Sequence, residues 1–403
     1  MNILYLCEEY PPGKNGGIGT MVNVLGRELV KQGHNVYVTG LYPLGYGQPD
    51  FEQDNGVKIW RLRYKADVGL VKGIYSFSDK LYLKFYKYTG LLHFDNLASS
   101  KYLFNFIRNI IQQYDIDIIE MPDWNNFLYN SLTTIHVPQF AVPLIVKLNG
   151  SKSYFSKEMK APVNNPILKA ESALLKRADA ILSASFYTAQ KTKEIFNLSK
   201  KITVLHNSIS IPLNFKRHSV KSNVIFTGAL IKKKGIISLL QAWNLVNKKF
   251  PLANLNIYGK GPVDKLKKLL NKNSISSVIF HNHVSREILL EELANSCVAV
   301  FPSYTEGFSF APLEAMAVGC PVIYSSRSSG PELITHNENG LLVDPDDISA
   351  IANAIVLLIG NKVLRNKLAE AGRKTILEKY NIEISAQQHI LFYNKILRDR
   401  NNL

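Results

Sequence analysis

Short apolar runs recur along the chain, each followed by a stretch in which apolar residues return every three or four positions. Asn2 to Cys7 reads as a first buried strand. Val22, Leu25 and Leu29 then share one face of an amphipathic helix that Gly33 ends, and Val36-Tyr37-Val38 opens the next strand. The alternation returns at Leu144 to Leu148, at Val224-Ile225-Phe226, at Ile257-Tyr258 with the turn Gly259-Lys260-Gly261-Pro262, and at Val298 to Phe301. Pro312 suits a first helical turn, so a helix is predicted through Leu313, Ala315, Met316 and Val318, stopping at Gly319. Such alternation builds doubly wound parallel sheets, and 403 residues is ordinarily two domains. The border is expected near Pro212-Leu213-Asn214, with a first domain over 1–213 and a second over 214–385.

The 46% apolar fraction supplies two cores, and no repeat or low-complexity tract interrupts them. Cys7, Cys297 and Cys320 each sit in or beside an apolar strand, at spacings that suit neither a metal site nor a disulfide framework, and are expected as buried thiols. Met1 to Tyr5 carries no basic segment and is followed at once by Glu8-Glu9, unlike a signal peptide, and no run reaches the length of a membrane span. A soluble cytoplasmic protein is expected.

The formal charge of +16 is unevenly spread. Residues 58–108 carry 10 Lys and Arg against 3 Asp and Glu, which accounts for the whole excess of residues 1–213. Arg61, Arg63, Lys65, Lys72, Lys80, Lys84, Lys87 and Lys101 alternate there with Tyr75, Phe77, Tyr82, Phe85, Tyr86, Tyr88, Phe104 and Phe106. Basic and aromatic residues at helical spacing suit an anionic membrane surface, which would place the protein at the inner face of a membrane; core aromatics beside solvated lysines are the alternative. Residues 216–272 hold 13 Lys and Arg against Asp264 alone. Nucleic acid is not an expected partner, because no helix-turn-helix, zinc-finger or RNA-recognition pattern accompanies the charge.

Candidate chemistry concentrates in Glu306-Gly307-Phe308-Ser309-Phe310-Ala311-Pro312-Leu313-Glu314. The turn follows a strand and opens a helix, so its free N–H groups form a seat for a diphosphate. Glu306 on the turn and Glu314 in the helix point at different parts of one ligand, which disfavours a hydrolase-like carboxylate pair. Turn capping by Glu306 and a solvated Glu314 are the plain alternative. Gly16-Gly17-x-Gly19 would let backbone approach a phosphate without Cβ interference, and a plain strand-to-helix turn fits equally. Lys14 does not make it a Walker loop, since no Gly-Lys-Ser/Thr follows. Lys232-Lys233-Lys234 follows a strand and precedes Gly235 and a helix. Glu120 and Asp123 leave another strand at the sheet edge where ligands of such folds bind, with backbone bonding the alternative for Glu120. Asp344-Pro345-Asp346-Asp347 imitates a metal motif but reads as an N-cap loop.

The run Glu306 to Glu314, continued by Ala315-Met316-Ala317, Gly319, Pro321-Val322, Gly330-Pro331-Glu332 and Asn339-Gly340-Leu341-Leu342-Val343, resembles the donor-site signature of retaining family 4 glycosyltransferases. Ala178-Asp179-Ala180, Val204 to Ser208, Phe226-Thr227-Gly228 to Lys234-Gly235, and Ile257 to Pro262 agree with it in order, and the likeness is poorest from 42 to 113. The resemblance implies the GT-B fold, two facing Rossmann-like domains with a deep cleft, and a C-terminal helix over 386–403 that crosses back to the first domain. It implies transfer of a hexosyl unit from a nucleoside diphosphate sugar, UDP-sugar favoured, to a hydroxyl of a saccharide or lipid-linked acceptor in polysaccharide or glycolipid assembly. No cofactor or metal is called for.

The same resemblance assigns roles. Glu306, Lys234 and Asn149 are the catalytic set; Gly16, Gly17, Gly19, Gly228, Lys232, Lys233, Gly259, Val284, Gly307, Phe308, Ser309 and Glu314 bind the donor; Glu120 and Asp123 face the acceptor. Two positions depart from the family. Ala229 stands where an Arg usually holds the donor phosphates, so Lys232 or Lys233 is expected to supply the missing charge. Asn149-Gly150 stands where His-Gly is frequent, and Asn carries no proton at neutral pH. These departures keep open a non-catalytic sugar-nucleotide binder, and the fold keeps open a nucleotide-sugar epimerase.

Overall fold

The computed structural model describes residues 1–13, 16–42, 46–64, 81, 85, 88–129, 133–212, 222–281 and 284–401. Lys14, most of the basic and aromatic positions between 65 and 87, and the expected border at Leu213-Asn214 lie outside them. The chain forms two compact units, Met1–Ala184 with Thr188–His206 and Ser385–Leu403, and Ser185–Tyr187 with Asn207–Ile384.

The first unit is built on strands β1 (Asn2–Leu6), β2 (Asn35–Tyr42), β3 (Phe51–Asp54), β4 (Val57–Arg63), β5 (Ile118–Pro122), β6 (Leu144–Leu148), β7 (Ala180–Ser183) and β8 (Ile202–Val204), in the order β3-β4-β2-β1-β5-β6-β7-β8. All neighbours are parallel except β3 with β4. Its central strands β5 and β6 are buried at every position rather than alternately, because helices cover both faces of a parallel sheet. Helices α1 (Gly17–Lys31), α2 (Leu91–Gln113), α3 (Lys152–Glu158), α4 (Asn165–Arg177) and α5 (Phe186–Phe196) connect them. The face of α1 carrying Val22, Leu25 and Leu29 is buried, as its period predicted.

The second unit has β9 (Asn223–Thr227), β10 (Asn254–Tyr258), β11 (Val278–His281), β12 (Val298–Phe301), β13 (Val322–Ser325) and β14 (Leu341–Val343), all parallel in the order β11-β10-β9-β12-β13-β14. Its principal helices are α6 (Ile236–Lys249), α7 (Arg286–Ala294), α8 (Phe310–Ala317), α9 (Ile348–Gly360) and α10 (Lys362–Lys379). A final helix, α11 (Ile382–Asn401), returns to the first unit. In both units the strand order reverses beside β1 or β9, the place where open α/β sheets leave a crevice at the carboxyl ends of their strands. Two separate apolar clusters result, one per unit. The three cysteines are buried and none forms a disulfide among the described residues. No single helix among the described residues is long and apolar enough to cross a membrane.

Candidate functional site

In the second unit, β12 ends at Phe301 and the segment to Ser309 turns into α8, with Pro312 in the first turn and Gly319 at positive φ just past the end. The N–H of Glu306 donates to Ser328 Oγ at 3.1 Å, and Asn207 Nδ2 donates to the carbonyl of Phe308 at 3.0 Å, so side chains distant in sequence hold the turn. Ser309 is the N-cap residue and contributes no side-chain cap, which leaves the helix start to backbone groups.

Glu306 is buried, and Lys234 Nζ donates to its Oε1 at 2.6 Å. Lys234 closes a 3-10 turn, Lys232–Lys234, that follows β9. Within it Lys232 is exposed and Lys233 half-buried. Burial pushes the Lys233 ammonium below the usual lysine range, the attraction of Glu306 offsets part of this, and repulsion from Lys234 adds to it. Lys233 therefore shares the Glu306 environment.

Glu314 is a buried carboxylate, not a solvated helix residue. Burial raises its pKa, and Arg286, donating from Nε to Oε1 at 2.9 Å, pulls it back. Arg286 is the first residue of α7, directly after Val284-Ser285, and nothing in its local sequence singled it out. Gly228 and Gly259 close the ends of β9 and β10. The N–H of Gly228 donates to the carbonyl of Tyr258, and a Cβ on Gly259 would lie 1.8 Å from the carbonyl oxygen of Gly228. Gly259 is thus required by the backbone itself. Glu332 accepts from the N–H groups of Phe186 and Tyr187, both at 2.8 Å and both in the same unit. The Asp344 to Asp347 loop is the N-cap its sequence suggested: Asp347 accepts from Ala350 N, and Arg327 pairs with Asp344 and Asp346.

In the first unit the ends of β1, β5 and β6 share one sheet edge because the strands run parallel. Asp123 is buried, and its two oxygens accept from the N–H of Asn149 at 2.9 Å and of Gly150 at 3.2 Å. Asp123 thereby braces the Asn149-Gly150 loop. Burial raises its pKa to about 7 against those two hydrogen bonds. Asn149 turns its own amide onto the carbonyl of Lys147. Glu120 is also buried and accepts from Tyr393 of α11 at 2.6 Å.

Gly16 is the N-cap of α1, and the N–H of Gly19 donates to the side chain of Glu9 at 3.0 Å. A Cβ on Gly19 would stand 1.9 Å from the carbonyl oxygen of Glu9. The missing side chain at Gly19 thus admits the backbone of Glu9. Glu8, unmarked in the sequence reading, is buried with one oxygen unpartnered, and burial lifts its pKa to about 7. In the basic segment, Arg61 is 2% exposed and Phe104 is buried, so neither belongs to a surface.

A carboxylate–lysine pair at the strand-to-helix turn and a second carboxylate held by arginine thus lie in the same doubly wound unit. Residues 15–211 match the family model described as Glycosyltransferase Family 4, and residues 214–375 match that described as Glycosyl transferases group 1. The chain belongs to the family 4 glycosyltransferases of GT-B fold. An uncharacterized glycosyltransferase of Methanocaldococcus jannaschii is 26% identical over 413 residues, covering 98% of each chain. Sucrose-phosphate synthase of Thermosynechococcus elongatus shares the fold with a TM-score of 0.77 at 20% identity, covering 99% of this chain and 100% of that one. HepE of Anabaena, solved in complex with UDP-glucose, has a TM-score of 0.69 at 15% identity with both chains fully covered.

Proposed function

We propose that this glycosyltransferase moves a hexosyl unit, with retention at the anomeric carbon, from a nucleoside diphosphate sugar to a hydroxyl of a saccharide or lipid-linked acceptor in polysaccharide or glycolipid assembly. The observation that carries the reading is the Lys234–Glu306 pair at the start of α8, with Glu314 and Arg286 close in the same unit. UDP is the favoured carrier, since the structurally similar HepE was solved with UDP-glucose.

In this reading the bond from the anomeric carbon to the phosphate oxygen breaks while the acceptor oxygen bonds on the same face, and the acceptor proton passes to the departing diphosphate. No enzymatic nucleophile is needed. Lys234, Gly17 and the N–H groups of Phe308 and Ser309 stabilise the charge that develops on the diphosphate. Lys233 supplies the second cation in place of the family arginine, because it shares the field of Glu306 while Lys232 lies in solvent. Glu306 holds the donor sugar's hydroxyls, and Glu314, oriented by Arg286, holds the ribose. Because lysines and helix dipoles neutralise the diphosphate, turnover is expected to survive a chelator.

The proposal includes an anionic lipid surface as a partner of the first unit, at the cytoplasmic face. Leu81, Phe85, Tyr88, Leu91 and Phe94 are all exposed large apolar residues within the basic segment. Flotation with phosphatidylglycerol vesicles but not with phosphatidylcholine vesicles is the expected result.

Thermal stability with UDP, GDP and ADP in separate wells tests the donor reading, since a ligand of the folded state raises the midpoint by mass action. A rise with one nucleotide supports it and identifies the base. No rise with any would count against a nucleotide cleft at the start of α8.

A further inference from the structure

The donor reading leaves most of the basic excess of residues 216–272 unused. Part of it lies at the amino edge of the second sheet, the edge away from the Glu306 turn, because α6 leaves β9 at the carboxyl edge and runs back to the start of β10. There the chain reads Lys248-Lys249-Phe250-Pro251-Leu252, and Leu252 is 91% exposed. Helix α9 runs back in the same sense from β14 and gives way at Asn361 to α10, which opens with Lys362 and Val363 and carries Lys367 one turn on; Val363 is 82% exposed. The two corners adjoin, since a Cβ on Gly360 would stand 3.6 Å from the Phe250 ring. Asn244 of α6 also holds the carbonyl of Leu269 and the N–H of Asn271, which brings the exposed Lys272 and Ile275 to the same edge.

Each corner sets one aliphatic side chain out in solvent beside exposed lysines. None of these lysines is in an ion pair among the described residues, and residues 245–252, 265–277 and 356–369 contain no Asp or Glu. Val246 and Phe250 pack inward at the first corner and Leu364 at the second, so the core makes no use of Leu252 and Val363. The pattern selects among partners. A second copy of the chain would bring lysine against lysine. A protein interface has a contiguous apolar centre depleted in lysine, whereas here lysines flank each aliphatic position. A polyanion would meet the lysines and leave Leu252 and Val363 in water. An anionic bilayer meets both, because its headgroups take the ammonium groups while the aliphatic side chains enter the acyl boundary and the lysine stems span the interface.

We propose that this amino-edge surface of the second unit attaches to anionic phospholipid, with Leu252 and Val363 inserted and Lys248, Lys249, Lys362 and Lys367 on the headgroups. It is additional to the surface read in the first unit and depends neither on that surface nor on the donor reading.

Leu252→Cys in the full chain, labelled with the environment-sensitive fluorophore NBD, tests it, because the three native cysteines are buried. Phosphatidylglycerol vesicles are expected to shift the emission to the blue, and phosphatidylcholine vesicles or polyphosphate to leave it unchanged. Leu252→Asp combined with Val363→Asp is expected to weaken flotation with phosphatidylglycerol vesicles by about tenfold or more. Both positions are exposed, so that variant should keep the wild-type thermal midpoint and its shift with UDP. Flotation of the labelled protein without a blue shift at position 252, or unchanged flotation of the double variant, would overturn this surface alone. An equal shift with polyphosphate would replace the lipid by a polyanion and overturn the assignment. No flotation of the wild type would overturn this surface and the first unit's together.

Discussion

Glu306 and Glu314 are two buried carboxylates of one helix start whose partners set different tasks for them. Glu306 shares its ammonium partner with the expected diphosphate, so its truncation removes an interaction made as charge moves; Glu306→Ala is expected to cut kcat by at least a hundredfold with donor Kd changed far less. Glu314→Ala should mainly raise donor Kd, and steady-state kinetics beside nucleotide titration separate the two, the reverse pattern overturning the roles. Arg286→Ala leaves Glu314 buried without its cation. A loss of about 1–3 kcal/mol in urea unfolding, together with weaker nucleotide binding, is expected. Lys233→Ala is expected to weaken UDP binding about tenfold and Lys232→Ala to leave it unchanged, because Lys233 lies in the field of Glu306 and Lys232 is exposed. Equal effects of the two would return the choice to where the sequence left it.

At the scale of elements, the start of α1 and the end of β6 are both held by carboxylates from other segments. Glu9 receives the N–H of Gly19, and its carbonyl occupies the space a side chain there would need. Gly19→Ala must therefore displace either the β1–α1 loop or the first turn of α1, and denaturant unfolding should show a loss of about 1–3 kcal/mol. A neutral result would mean the loop relaxes freely. The sequence marked Gly19 as special because glycine is permissive, but permissiveness does not say what comes close; a phosphate and a backbone carbonyl leave the same mark. Asp123 gives the same lesson. Its place after β5 was legible, whereas its commitment to the Asn149-Gly150 loop depends on a neighbouring strand.

For the whole molecule, two raised carboxylates predict how stability responds to pH. Glu8 and Asp123 titrate near 7 when folded, above the ordinary carboxylate range, so the folded state holds protons that the unfolded state has released. The stability they contribute is full below about pH 4 and is lost as pH rises through about 7, by about 1–3 kcal/mol for each group. Glu8→Gln should flatten that slope, narrowing the gap between midpoints measured at pH 5 and pH 8. An unchanged slope would show that Glu8 ionises freely.

The sequence alone determined the architecture and the donor signature. Apolar runs, helical periodicity and punctuation by Gly and Pro are local, and the order of the motif from Glu306 to Val343 survives without knowledge of contacts. Tertiary structure decided the partners. Arg286 for Glu314, Glu9 for Gly19 and Tyr393 for Glu120 join segments apart in the chain, and burial near Glu306 separates Lys233 from Lys232. Hydrogen bonds and ion pairs act over a few ångströms, while sequence records neighbours along the chain. Which charge is buried, and against what, exists only once distant segments have packed.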